Sequence, residues 1–145
     1  MMGRMRPRFA AASMTVLALV AASCSAQASG EGDGSSAADD PEIQAYLALC
    51  SARDAAAADD LASAEATFED DAHETLHHLA AEVQGTDRST AASLLQAKSD
   101  VEADFLDETP DPAMVADDVQ ALLTAMGPAL DVVGLSAPGC PEPQP

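Results

Sequence analysis

The sequence predicts an all-α protein, a small antiparallel four-helix bundle. Three observations lead there. Between Pro41 and Val133 apolar residues recur at spacings of three and four, the repeat of helices that bury one face. Capping acids and first-turn prolines alternate with glycines that end the periodic runs. Strand signals are missing, because the chain contains no Asn, hence no Asn-Gly hairpin, and no alternating β-branched run. Four amphipathic helices with short connections pack most simply as an antiparallel bundle.

The first helix is expected to start at Pro41, behind Asp40, since a first-turn N–H has no helical partner to lose. Its stripe is Ile43, Leu47, Cys50, Asp54 and Ala57. The Ala-rich stretch from Ser51 to Ala64 leaves open whether this helix and the next are separate or continuous. If they separate, Asp59 or Asp60 caps the second. The second stripe is Leu61, Ala64 or Glu65, Phe68, Ala72, Leu76, Leu79 and Val83, ended by Gly85. Thr86 or Asp87 caps the third helix, whose face is Ala91, Leu94, Lys98, Val101 and Phe105. Thr109-Pro110-Asp111-Pro112 reads as a turn, with Asp111 as cap of the fourth helix. That helix carries Val115, Val119, Leu122, Met126, Leu130 and Val133. Its repeat runs through Gly127-Pro128, which predicts a kink rather than a stop. Gly134 ends it, and the Pro-rich residues 135–145 read as an extended tail. Residues 25–40 are Ser, Gly, Ala and acid without apolar periodicity. They read as a flexible tether reaching roughly 20 Å root-mean-square.

Ahead of the tether stand Arg4, Arg6 and Arg8, then an apolar run of 14 residues from Phe9 to Ala22, then Ala21-Ala22-Ser23-Cys24. The run is shorter than the roughly 20 residues that a membrane-spanning helix needs. A basic segment, a short apolar segment and small residues at the cleavage point are the parts of an export signal. The cysteine placed there resembles the lipobox of bacterial lipoproteins, over residues 1–24 only. That resemblance implies removal of residues 1–23 and acylation of Cys24. It also implies a location on the extracytoplasmic face of the cell membrane. Two or more acyl chains give stable anchoring where one does not. The expected organisation is a signal peptide (1–23), a lipidated cysteine with an acidic linker (24–40), the helical bundle (41–134) and the tail (135–145).

Beyond Cys24 only Arg53, Arg88 and Lys98 oppose 25 acidic side chains, a formal charge of −22. Such a body repels nucleic acid, which requires a basic footprint. It repels anionic lipid as well, leaving the acyl chains to hold the membrane, and it attracts cations and basic partners. With Cys24 acylated, Cys50 and Cys140 remain as a pair, which outside the cytoplasm implies a disulfide. The bond would staple the tail to the first helix and is worth about 4 to 5 kcal/mol by loop closure.

Two charged residues fall at core spacing, Asp54 on the first helix and Lys98 on the third. They are expected to meet, directly or through Glu102, as a partly buried ion pair.

Residues 73–77 read His-Glu-Thr-Leu-His. Two histidines four apart share one helix face and can share a metal ion, with the glutamate as base toward bound water. These five positions resemble the zinc-metallopeptidase motif, which implies His73 and His77 as ligands and Glu74 as base. A third ligand is then required, for which Glu102 is the candidate by analogy. Against catalysis stand Asp71, two before the first histidine, and the missing sheet edge. On an ideal helical wheel, too, His73 and His77 fall 100° and 140° from the apolar face. With Glu69, Asp70 and Glu74 they form either a solvated acidic face or a modest Zn²⁺ or Cu²⁺ site. No other nucleophile or phosphate-loop motif is present. The sequence as a whole reads as a lipid-anchored envelope protein without catalytic activity or resident cofactor. It would act as an interaction or binding module for an envelope protein or ligand. Metal binding through His73 and His77 is the alternative, and a small metallopeptidase the third.

Overall fold

The computed structural model describes residues 39–142. The signal segment, Cys24, residues 25–38 of the expected tether and residues 143–145 lie outside them. The described chain is all-helical. It comprises α1 (Pro41–Ala57), α2 (Leu61–Thr67), a π-helical turn (Phe68–Ala72), α3 (His73–Gln84), α4 (Arg88–Phe105) and α5 (Pro112–Val132). Because α2, the π turn and α3 follow without a break, they form one helical passage, and the body has four such passages. α5 packs against α1 and α4, α4 also packs against α3, and α1 carries α2 and the π turn. No helix among the described residues is long and apolar enough to cross a membrane.

The boundaries follow from local chemistry. Asp60, Asp87 and Asp111 cap α2, α4 and α5, each accepting hydrogen bonds from first-turn N–H groups. Asp87 takes four, two from N–H groups and two from the hydroxyls of Ser89 and Thr90. The Ser89 hydroxyl, then the Thr90 N–H and hydroxyl, hold its carboxyl down at about 2. Asp40 precedes Pro41 without a side-chain capping bond. α5 runs through Pro128 and ends where Leu135 N–H reaches Leu130 O at 2.9 Å and Gly134 N–H reaches Asp131 O at 3.2 Å. Gly134 takes the left-handed conformation that this double bond demands (φ 82°).

α1 and α2 are separate. The same double bond closes α1, from Asp60 N–H to Ala55 O and from Asp59 N–H to Ala56 O, both at 2.9 Å. Here the left-handed residue is Asp59, at φ 66°. An L side chain is disfavoured there and glycine is not. Asp59→Gly is therefore expected to stabilise the protein by roughly 0.5 to 1 kcal/mol in urea unfolding.

The core joins all four passages through Leu49, Phe68, Leu76, Leu94, Leu122 and Met126, all fully buried. The α1 stripe differs from expectation. Ala45, Leu49, Ala52 and Ala56 are fully buried, whereas Leu47 is half-buried and Ala57 exposed. Ile43 and Cys50 are buried as expected. Alanines make up half of the true face, and they let neighbouring helices approach closely while carrying little hydropathy of their own. Cys50 and Cys140 are joined by a disulfide that ties the extended tail to α1.

Candidate metal centre

The π turn places the first candidate ligand, His73. His73 N–H bonds to Phe68 O, five residues back instead of four. This wider turn brings the His73 ring edge-on against Phe68, with centroids 5.8 Å apart. An ideal wheel rotates His73 away from the apolar face, so the π turn accounts for the difference. The His73 side chain is 30% exposed and tucked against α4. One α-helical turn later, His77 stays on the exposed side, with its ring 5.0 Å from His73.

α4 supplies the rest. His73 Nε2 lies 2.8 Å from Glu102 Oε1. Lys98 Nζ donates to the same oxygen at 2.5 Å from one turn earlier on α4. Lys98 is 1% exposed and lies 6.0 Å from the Phe68 ring, within reach of its π face. Burial pushes the Glu102 carboxyl up, but the hydrogen bonds from Lys98 and His73, with their charges, outweigh it and hold it below the usual value. The ligand atoms of His73, His77 and Glu102 all lie within 4.8 Å of one another. An open groove of about 430 Å³, lined by Glu65, Glu69, Phe105 and Leu106 among others, reaches Glu102 from solvent.

The expected Asp54–Lys98 pair is not what forms. Lys98 pairs with Glu102, the carboxylate one turn along its own helix. Asp54 pairs with its chain neighbour Arg53 at 2.7 Å. Arg53 also donates to Gln120 Oε1 at 2.9 Å and lies 3.4 Å from Cys140 Sγ, so it links α1, α5 and the disulfide. Glu74 stands apart from the three-residue cluster. Its carboxylate lies 3.5 Å from His78 Nε2, and its side chain is 89% exposed. Glu69 and Asp70 are exposed on the π turn, with Glu69 at the groove.

A second acidic feature lies where α4 meets Asp118 of α5. Asp104 Oδ2 is sealed from water and has no hydrogen-bond partner. Burial, then the Asp118 carboxyl, then Asp100 and Asp107 raise the Asp104 carboxyl to about 6. Between pH 4 and 6 the folded state therefore binds more protons than the unfolded chain. Stability falls as pH rises through that window, and the full penalty is present above it. Asp104→Asn is expected to raise the melting temperature at pH 7.5 and to leave it nearly unchanged at pH 4.

Comparison with protein-family models, with curated proteins and with solved structures gave no match.

Proposed function

We propose that this chain is a non-catalytic module of the bacterial cell envelope, held to the membrane by acylated Cys24. Its antiparallel four-helix body binds a borderline divalent cation, Zn²⁺ or Cu²⁺, between His73, His77 and Glu102. One observation carries this reading: two imidazoles and a carboxylate from two different helices converge within 4.8 Å. Two nitrogens and one oxygen suit Zn²⁺ and Cu²⁺, whereas Ca²⁺ takes six or more oxygens. Three protein donors leave coordination positions free for water or a partner's ligand, as in exchangeable sites and unlike closed structural ones. The acidic groove mouth attracts cations toward Glu102.

The Cys50–Cys140 bond supports an oxidising, extracytoplasmic setting. The non-catalytic reading rests on Glu74, the motif's base, whose carboxylate lies against His78 on the solvent side.

Calorimetry on the full chain in detergent, free of any histidine tag, tests the reading. Zn²⁺ and Cu²⁺ should each bind saturably at one ion per chain in millimolar Mg²⁺. His73→Ala with His77→Ala should abolish that binding, and Glu74→Gln should leave it intact. Binding that survives the double histidine substitution would place the ion elsewhere.

A further inference from the structure

Lys98 is the one lysine of the chain, in a body with 25 acidic residues. It is fully buried, while every acid among the described residues lies at least partly exposed. A buried ammonium normally needs a carboxylate of its own. Lys98 shares its carboxylate with a metal-ligating histidine, because Lys98 Nζ and His73 Nε2 both meet Glu102 Oε1, at 2.5 and 2.8 Å. Any ion held by Glu102 has to share that carboxylate with the ammonium.

We propose that Lys98 is an internal cation that competes with the metal for Glu102, keeping the site weak enough to exchange its ion instead of storing it. This rests on the metal-binding reading above. The physical basis is direct. The ammonium neutralises the only carboxylate in the ligand set, and it repels a second positive charge placed a few ångströms away where water screens poorly. It also pins one carboxylate oxygen, so Lys98 orients the ligand as well as discharging it. The ligand set therefore presents two neutral nitrogens and a neutralised carboxylate. Ions that bind through charge and oxygen count gain little there, and ions with affinity for imidazole gain most.

The sign of the effect separates competition from scaffolding. If Lys98 only holds the site in shape, removing it weakens metal binding. If it competes, removing it tightens binding. The test is titration of Zn²⁺ against a chromophoric chelator, using the full chain in detergent as wild type, Lys98→Met, Lys98→Gln and Lys98→Arg. Helix content is checked by circular dichroism. Lys98→Met is expected to bind Zn²⁺ at least tenfold more tightly than wild type, and Lys98→Arg, which keeps the charge, within about threefold of it. Lys98→Gln, which keeps a polar group in the space, stands in if the Met variant does not fold, with the same tightening expected. Unchanged or weaker binding in folded Met or Gln variants, with wild type still binding, overturns the competition and leaves the metal site standing. No saturable binding by wild type or variants overturns both.

Discussion

Replacing Cys50 and Cys140 by serine is expected to cost about 4 to 5 kcal/mol of stability. The bond spans 90 residues of sequence, nearly the whole described body. Its loss restores to the unfolded chain almost all the freedom that the cross-link removes. The cost is a large share of the about 5 to 15 kcal/mol by which domains are stable. This core is also thin: six of its buried positions on the first two helical passages, Ala45, Ala52, Ala56, Ala64, Ala72 and Ala80, are alanine. Urea unfolding of the oxidised protein against the double serine variant measures the difference. A midpoint shift equivalent to less than about 1 kcal/mol would show that the tail is a passenger. Arg53, which lies 3.4 Å from Cys140 Sγ and donates to Gln120, should then also prove dispensable.

Phe68→Ala is expected to have the second largest effect, about 3 to 5 kcal/mol, because it removes a fully buried ring from the junction of the π turn and α4. Phe68 packs on Phe105 at 5.8 Å, presents its face toward Lys98 and takes the edge of His73. A second consequence separates this position from other core residues. With the ring gone, His73 loses the surface that fixes its orientation toward Glu102, and Zn²⁺ binding should weaken in whatever fraction remains folded. Phe68→Leu keeps most of the buried area but not the ring. It should recover much of the stability and less of the binding. Equal recovery of both would show that Phe68 fills space without orienting the ligand.

These residues also show how far the sequence can be read. Asp60, Asp87 and Asp111 announce their helices because a short carboxylate before an apolar run has one obvious partner, the unpaired N–H groups of the first turn. The break between α1 and α2 carried no glycine to mark it, since Asp59 occupies the left-handed position usually given to glycine. The buried face of α1 was obscured because its alanines have little hydropathy. The π turn left a fainter trace. Ala64, Phe68, Ala72, Leu76 and Ala80 are all buried and spaced by fours. A regular helix drifts 40° per such step, and a wider turn absorbs that drift. Read on an ideal wheel, His73 points away from the core; on the actual backbone it meets Glu102. As a metal ligand, Glu102 was reachable only by analogy to a motif whose own base, Glu74, lies with His78 at the surface. Nothing in the sequence singled out Arg53, whose role depends on where α5 and the tail come to rest.

One ion is expected to be held by two imidazoles and a carboxylate drawn from two helices. X-ray absorption spectroscopy on the full chain loaded with one equivalent of Zn²⁺ tests it most directly. The expected first shell contains two imidazole nitrogens, with their outer-ring scattering, and oxygen. That imidazole scattering should vanish in His73→Ala with His77→Ala. A shell made of oxygen alone, unchanged by the double substitution, would contradict the account and assign the ion to the acidic surface.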